Sequence, residues 1–449
     1  MSSYRLRNSI LDLLVRIENG GAYSHLLIHN EIRKRRLAEK DVTLFTEIVY
    51  GTIERKITLD YYLKPFIRTK KKLDAWVLML LRMSVYQIVY LDKIPNYAII
   101  HEAVEIAKQR GHKGIASFVN GVLRNLIRKG IPSTDIITDK IKKLSVETSH
   151  PEWLVRRWVQ FYGYTITKEM CIANLQRKPI SVRIQQLRVS REKAMDCLKK
   201  EGFQVKPSDF SKQGIIIEKG NILNSDLFKN GYLTIQDQTS MLVAEMLDVK
   251  PGMVVLDACS APGGKATHIA EIMNNEGKIY AYDLHKNKIN LIKEKQEQLK
   301  LSIIHANTID ARKLQEVHDQ SFFDRIIVDA PCSGLGVLQG KPDVKYNKSE
   351  QDIIRLQSIQ QEILESVAPL LKINGKIVYS TCTVDVTENE HVMKRFLKKN
   401  KAYQLDVSFF KELPNILKNS IGQTDYGLQI FPQTFQTDGF FLTRLIKVS

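Results

Sequence analysis

Apolar residues recur at helical spacing over the first 140 residues of the chain. The clearest examples form two stripes separated by a short break: Ile99, Ala103, Ile106 and Ala107, then Val119, Val122, Leu123, Leu126 and Ile127. Positions three and four apart share one face of a helix, so each stripe predicts an amphipathic helix. Gly111 and Gly114 follow the first stripe, and Gly130 and Pro132 follow the second, where helices are expected to end. We therefore predict an all-α domain over residues 1–140.

The pattern changes after His150 and again near residue 231. Short β-like runs at Pro179–Val182 and Gly214–Glu218 flank a predicted helix near Arg191–Glu201. This arrangement predicts a small α+β module over residues 150–230, of the ferredoxin-like or RRM-like class.

Residues 231–449 alternate between apolar runs and amphipathic helical segments. The predicted strands are MVVLDA, KIYAYD, RIIVDA and GKIVYS, and DGFFLTRLIKV predicts a last, antiparallel strand. Helices are predicted at Lys286–Leu299 and Glu350–Leu371. Strands that alternate with helices form a doubly wound parallel sheet, so a Rossmann-like α/β domain is expected. Such a sheet binds its ligand at the carboxyl ends of its strands.

Positive charge is concentrated in the first half of the chain. The formal net charge is +18; residues 1–150 hold 26 basic and 15 acidic residues, residues 151–230 hold 15 and 8, and residues 231–449 hold 26 of each. The runs Arg33–Arg36 and Lys70–Lys72 concentrate this charge further. A basic half joined to a neutral half is typical of a module that holds a nucleic acid while another domain does chemistry.

Several classes of protein are disfavoured by composition. The five cysteines are odd in number and lack the C-x-x-C spacing, so neither a disulfide framework nor a metal site is expected. The most apolar stretch, Ala75–Leu91, is interrupted by Arg82 and Gln87 and predicts a buried helix rather than a membrane span. Since no secretory signal is recognisable, we expect a cytoplasmic protein without a membrane partner, monomeric by default.

A glycine-rich loop follows the first strand of the α/β domain. The segment from Asp257 to Lys265 fits neither the phosphate-binding P-loop nor the dinucleotide fingerprint. Asp283 ends the next strand, where a carboxylate can accept ribose hydroxyls, and Asp310 follows the third, within reach of an adenine amino group. Each acid alone is as well explained as a helix cap. Three acids after three successive strands predict an adenosyl ligand without a pyrophosphate.

Two cysteines follow the next two strands. Cys332 comes after Asp329, and Cys382 comes after Ser380, so both thiols are expected at one cleft. A thiolate that adds to C6 of cytosine makes C5 nucleophilic enough to accept a methyl group, and a carboxyl group near N3, a role suited to Asp329, would stabilise charge in the ring. A second cysteine would assist release of the C5 proton. The Pro331-Cys332 pair resembles the nucleophile of DNA cytosine-5 methyltransferases, so these residues alone leave open which thiol attacks.

The motifs DACSAPGGK, AYD, DAPCSG and STCT, with TIQDQTSMLVAEML before them and DGFF near the end, resemble those of the RNA (cytosine-5) methyltransferases, the Nop2/NSUN family. The segments HEAVEIAK and FVNGVLRNL resemble the helical RNA-binding fold of the antitermination factor NusB. A NusB-like domain ahead of the catalytic domain is a feature of the bacterial branch of the family that modifies 16S rRNA. The resemblance spans essentially the whole chain.

The resemblance implies a role for each matching residue. Cys382 would be the nucleophile and Cys332 the residue needed for product release, while Lys265 and Asp329 would face the target base. The S-adenosylmethionine site would comprise Cys259, Ser260, Ala261, Pro262, Gly263, Gly264, Lys265, Asp283, Asp310 and Asp329. Ser260 replaces the alanine, and Ala266 the threonine, that the family more often has.

The expected function is therefore methylation of a cytosine in 16S rRNA, with S-adenosylmethionine as cofactor, RNA as partner, and neither DNA nor a metal. Methylation of tRNA and a non-catalytic NusB-like RNA-binding protein are the alternatives.

Overall fold

The computed structural model describes residues 3–20, 24–35, 37–67 and 73–449. The chain divides into two compact units, Met1–Gln176 with Leu338–Asn347, and Arg177–Val337 with Lys348–Ser449. Arg36 and Lys70–Lys72, which belong to the predicted basic runs, lie outside the described residues.

The first unit is helical. Its α-helices are α1 (Ser3–Gly20), α2 (Ser24–Arg35), α3 (Glu39–Glu54), α4 (Lys56–Leu63), α5 (Ala75–Tyr90), α6 (Asn96–Arg110), α7 (Lys113–Lys129), α8 (Lys140–Thr148) and α9 (Glu152–Ala173). Apolar faces of α1, α3, α5, α6 and α7 form one core. The two sequence stripes fall on α6 and α7, whose inner residues are buried.

The predicted buried segment forms α5, where Leu80, Leu81 and Val85 are fully enclosed. Arg82 can lie in this core because its guanidinium donates two hydrogen bonds to the Asp60 carboxylate, at 2.7 and 2.8 Å. A bidentate pair of this kind offsets much of the cost of burying a charge. No helix among the described residues combines the length and apolarity that a membrane crossing requires.

The inserted segment Leu338–Asn347 is held in the first unit by polar contacts. The Ser24 hydroxyl donates to the Asp343 carboxylate at 2.5 Å. The Lys345 ammonium donates to the Glu54 carbonyl at 2.9 Å, and the Tyr346 hydroxyl donates to the same carbonyl at 3.0 Å. Burial lowers the pKa of Lys345 to about 7. The insertion therefore contributes buried polar groups to a unit that is otherwise N-terminal in sequence.

The second unit begins with a four-stranded antiparallel sheet. Its elements are β1 (Ile180–Ile184), α10 (Arg191–Lys200), β2 (Gln204–Pro207), β3 (Gly214–Lys219), α11 (Asp226–Lys229) and β4 (Leu233–Ile235), and the strand order is β2-β3-β1-β4. Val182 of β1 lies opposite Ile215 on one side and Ile235 on the other. The sequence predicted β1, α10 and β3. It missed β2, whose residues are mostly exposed, and β4, which is three residues long.

A second, mixed sheet forms the rest of this unit. Its strands are β5 (Val254–Asp257), β6 (Lys278–Asp283), β7 (Ile304–Thr308), β8 (Phe323–Asp329), β9 (Leu371–Thr381), β10 (Tyr403–Leu405), β11 (Gln423–Thr424), β12 (Gly427–Ile430) and β13 (Phe440–Lys447). The order is β11-β12-β13-β9-β8-β5-β6-β7, with β10 paired to β13. Strands β5 to β9 pair in parallel, and β13 pairs antiparallel to β9, as predicted for DGFFLTRLIKV.

The α-helices of this part are α12 (Gln238–Glu245), α13 (Gly264–Ile272), α14 (Lys286–Gln298), α15 (Glu350–Val367), α16 (Glu390–Lys399), α17 (Ser408–Glu412) and α18 (Pro432–Phe435). A capping box of Ser349 and Asp352 begins α15. The prediction that this helix continues to Leu371 is wrong. Pro369 removes a backbone donor and restricts the residue before it, so the chain passes through a 3-10 turn at Ala368–Leu370.

Candidate active site

The two cysteines predicted at one cleft lie in contact. Strands β8 and β9 are adjacent and parallel, with Asp329 opposite Ser380, so both chains leave the same edge of the sheet. The Sγ atoms of Cys332 and Cys382 are 3.4 Å apart. The hydrogen bond to Cys382, together with burial, raises the pKa of the Cys332 thiol well above its ordinary value. Cys332 therefore keeps its proton and can donate it to the neighbouring sulfur.

Asp329 stands at the same edge, held by two donors. Its Oδ2 accepts from the Lys265 ammonium at 2.7 Å, and its Oδ1 accepts from the Ser380 hydroxyl at 2.8 Å. Burial alone would lower the pKa of Lys265, but the charge and hydrogen bond of Asp329 raise it. The Lys265 ammonium also lies 5.9 Å from the centre of the Phe440 ring. A fixed ion pair thus borders the two thiols.

The glycine-rich loop joins β5 to α13. Gly263 has φ +88°, a left-handed conformation that side chains rarely adopt, and a Cβ at this position would lie 3.1 Å from the Ile292 Cα. The Asp257 carboxylate is buried at the end of β5, and burial raises its pKa to about 7. Within the described part of the chain, neither its oxygens nor the Ser260 hydroxyl makes a hydrogen bond of good geometry, although Ser260 approaches closely enough to lower that pKa.

Buried polar atoms without partners carry a cost unless a ligand satisfies them. The carboxylate and hydroxyl of this loop therefore fit a ligand rich in hydrogen-bond donors, as the adenosyl and amino-acid parts of S-adenosylmethionine are.

The two further acids differ in their surroundings. Asp283 ends β6 and accepts a hydrogen bond from the His285 amide at 3.0 Å. Asp310 caps the 3-10 helix Ala311–Glu316 by accepting from the Arg312 amide, and it binds the Arg312 guanidinium at 2.7 Å. The hydrogen bond from Arg312 lowers the pKa of Asp310. The capping role that competes with ligand binding at these positions is thus realised at Asp310.

Glu388 connects the two cysteine-bearing loops from behind. Its buried carboxylate accepts from the Ser333 amide at 2.8 Å and from the Ser333 hydroxyl, next to Cys332. That hydroxyl also lies 2.9 Å from the Thr383 hydroxyl, next to Cys382. Gln360 of α15 donates to both Glu388 and the Pro331 carbonyl, at 3.0 Å each. One carboxylate therefore fixes the loop of Cys332 relative to that of Cys382.

Asn389 holds the backbone on both sides of Cys382. Its amide oxygen accepts from the Thr381 hydroxyl at 2.5 Å, and its amide nitrogen donates to the Thr383 carbonyl at 3.1 Å. Sequence reasoning missed Ser380, Glu388 and Asn389 as site residues. The segment VTENEHV has the composition of a solvated loop, and nothing in its spacing indicates that two of its residues are buried.

The antiparallel sheet is joined to the cofactor loop through Arg183. This β1 side chain and that of Glu271 on α13 are fully buried and form an ion pair at 2.8 Å. The same guanidinium donates to the Gly264 carbonyl at 2.8 Å and to the Thr267 hydroxyl at 3.2 Å. The first turn of α13, which contains Lys265, is thus held by a residue from the other sheet.

Comparison with known proteins places these features in one family. The NusB family matches residues 5–128, the ferredoxin-like domain of RsmF/B-like methyltransferases matches residues 150–223, and the 16S rRNA methyltransferase RsmB/F family matches residues 244–446. The probable ribosomal RNA small subunit methyltransferase B of Bacillus subtilis (strain 168) is 48% identical over 447 residues, which cover 100% of both chains. The chain belongs to the RsmB/F family of 16S rRNA methyltransferases.

Other RsmB/F relatives and solved structures are similar over most of the chain. The probable methyltransferase B of Synechocystis is 32% identical over 96% of this chain and 97% of its own. The crystal structure of PH0851 has a TM-score of 0.81 at 25% identity and covers 98% of each chain. A methyltransferase homolog protein from Pyrococcus horikoshii has a TM-score of 0.59 at 27% identity, over 70% of this chain and 100% of that one. The family resemblance and the fold class predicted from the sequence are confirmed.

Glu388 should make the stability of this RsmB/F protein depend on pH. Burial raises its pKa to about 7 from an ordinary value of 4.5, so the folded protein keeps a proton that the unfolded chain has lost. This contribution is present below about pH 4.5 and is lost as the pH rises to about 7. The Glu388→Gln variant has no such proton, so from pH 5 to pH 8 its thermal midpoint should rise relative to wild type by roughly 5 °C.

Thermal unfolding at both pH values checks this expectation. Glu316→Gln, at an exposed position, is the matched control and should leave the difference from wild type constant. A constant difference for Glu388→Gln as well would contradict the elevated pKa.

Proposed function

We propose that this protein methylates C5 of a cytosine in 16S rRNA through a covalent bond between Cys382 and C6 of the base. The observation that carries the proposal is the 3.4 Å approach of the Cys332 and Cys382 sulfurs beside the Asp329–Lys265 ion pair. S-adenosylmethionine, when bound, supplies the methyl group. The residues that would hold it are the Cys259–Lys265 loop with Asp257, Asp283, Asp310 and Asp329.

Two neighbours favour the thiolate form of Cys382. The Lys265 ammonium is close enough to interact electrostatically with Cys382, and Cys332 is a thiol that donates towards the same sulfur. A thiolate, rather than a thiol, is the nucleophile in such additions. Together these contacts assign the attack to Cys382 and not to Cys332.

Attack forms the Sγ–C6 bond and moves the C5–C6 π electrons through the ring towards N3. Asp329 and Lys265 would lie against this edge of the base, where they orient the exocyclic amine and supply a proton to N3. C5 of the resulting enamine is then electron-rich and forms its bond to the methyl group. Because Ser380 and Lys265 fix both oxygens of Asp329, the carboxylate is positioned before the base arrives.

Release requires that C5 lose its proton and that the Sγ–C6 bond break. Cys332 gives its thiol proton to the departing Cys382 sulfur and accepts the C5 proton, while the C5–H electrons restore the C5–C6 double bond. The 3.4 Å separation of the two sulfurs suits this exchange. Both cysteines return to their starting protonation states, so no further reactant is needed.

The RNA would be bound first through its phosphates. The excess of basic residues in the first 230 positions supports affinity that is sensitive to salt and largely independent of sequence. Selection of one cytosine then depends on RNA shape and on extrusion of the base into the cleft. Such a substrate would be met in the cytoplasm.

The test is methyl transfer from radiolabelled S-adenosylmethionine to unmodified 16S rRNA, a tRNA pool and duplex DNA in parallel. Digestion of the labelled nucleic acid to nucleosides is expected to give 5-methylcytidine from 16S rRNA alone. Label on tRNA alone would leave the chemistry and refute the substrate. Label on another base, or on ribose, would refute the C5 mechanism.

A further inference from the structure

A groove lies between α6 and α7 in the first unit and is not used in the mechanism above. Its volume is about 950 Å³. Ile100 and Ala116 are buried within its lining, whereas Tyr97 and Ile127 are 78% and 38% exposed. An aromatic ring exposed to this degree beside an apolar surface suggests a surface that binds a flat ligand group.

One wall of the groove carries positive charge. Lys113, Arg124 and Arg128 are exposed on α7, and within the described residues none of them forms an ion pair. The guanidinium of Arg124 donates to Asn120 at 2.9 Å, and that of Arg128 donates to Asn125 at 2.6 Å. These neutral amide partners orient both guanidinium groups without neutralising them.

The opposite wall adds little negative charge. Glu105 is the one carboxylate in the lining, and the Lys108 ammonium already pairs with it at 2.5 Å. The groove therefore combines a strong cationic wall with an aromatic platform. The wall from Lys113 to Arg128 is about 22 Å long, because each helical residue adds about 1.5 Å. This length suits three or four nucleotides of an extended strand.

We propose that this groove binds a single-stranded segment of the substrate RNA, with phosphates along α7 and an unpaired base stacked on Tyr97. The inference rests on the proposed function for the identity of the RNA. Side-chain rings stack on bases that are unpaired, whereas a duplex hides the faces of its bases, so the exposed Tyr97 favours a single strand. The unpaired cations favour phosphates over an uncharged protein partner.

The test is binding of a fluorescein-labelled 12-nucleotide single-stranded RNA of mixed sequence, measured at several salt concentrations. The Arg124→Gln/Arg128→Gln variant should weaken binding about tenfold or more and reduce the salt slope by about two, one for each lost phosphate contact. Lys140→Gln/Lys142→Gln, at two exposed positions of α8, removes the same charge elsewhere in the unit and should change binding less than threefold.

The aromatic platform is tested separately. Tyr97→Ala should weaken binding about fivefold to tenfold with an unchanged salt slope, and Tyr97→Phe should bind as wild type does. Because Tyr97 is exposed, the thermal midpoint should not change in either variant.

Three results would overturn the proposal: equal losses in the α7 and α8 double variants, normal binding by Tyr97→Ala, or tighter binding of polyglutamate or of the RNA duplex than of the single strand. S-adenosylmethionine binding, measured by calorimetry, should be the same in all of these variants. If the groove variants lose RNA binding as expected while wild-type protein methylates no cytosine, the groove stands and the proposed function fails.

Discussion

The Cys332→Ala variant is expected to accumulate a covalent complex with its RNA, whereas Cys382→Ala is expected to form none and to lose methylation by at least about 10³-fold. The reason is the division of labour between two sulfurs that are 3.4 Å apart. Without Cys332, the Sγ–C6 bond still forms, but no thiol remains to protonate the departing sulfur and to take the C5 proton. Without Cys382, no covalent step is possible.

Denaturing gels with labelled 16S rRNA and S-adenosylmethionine measure both outcomes at once. Cys197→Ala, on α10, is a matched control that removes a thiol from the same unit and should retain full activity. The double variant should behave as Cys382→Ala does, because attack precedes release. If Cys332→Ala abolished both adduct and methylation while Cys382→Ala trapped the adduct, the roles would be reversed and the Pro331-Cys332 thiol would be the nucleophile.

The second large effect is expected at Arg183, far from the sulfurs in sequence. Arg183→Met should lower the free energy of unfolding by about 3–5 kcal/mol, because it leaves the Glu271 carboxylate buried without its partner. It also removes the donor to the Gly264 carbonyl, so S-adenosylmethionine affinity should fall. Urea denaturation and calorimetry measure these two quantities independently.

Two comparisons identify the cause. Arg183→Met/Glu271→Leu should recover much of the stability, since no unpaired charge remains, but not the cofactor affinity. Arg191→Met, at a partly exposed arginine on α10, should cost less than about 1 kcal/mol. Equal losses for Arg183→Met and Arg191→Met would show that the buried pair is not the source of the stability.

The central contact of the site could be predicted because it follows from topology alone. Cys332 and Cys382 each come directly after an apolar run, and adjacent parallel strands end at the same edge of a sheet. The ion pair of Lys265 and Asp329 was expected in part, since both residues were placed near the base. Their direct contact depends on how far α13 and β8 stand apart, and the hydrophobic pattern carries no information about that distance.

The rest of the network could not be predicted for a related reason. Glu388 and Arg183 are charged residues whose partners lie 55 and 88 positions away along the chain. Charged residues are usually exposed, so pattern alone assigns them to the surface. The end of α15 is a different case: Pro369 was visible in the sequence, and its effect on the preceding residues would have placed the boundary correctly.

The insertion Leu338–Asn347 has a consequence for how the protein is made. Because ten residues of the first unit are encoded after most of the second, Asp343 and Lys345 reach Ser24 and Glu54 only after nearly 350 residues have been translated. Domains usually fold in the order in which they leave the ribosome. Here the N-terminal unit starts first and finishes late, so a nascent chain that stops at residue 176 lacks part of its own interior.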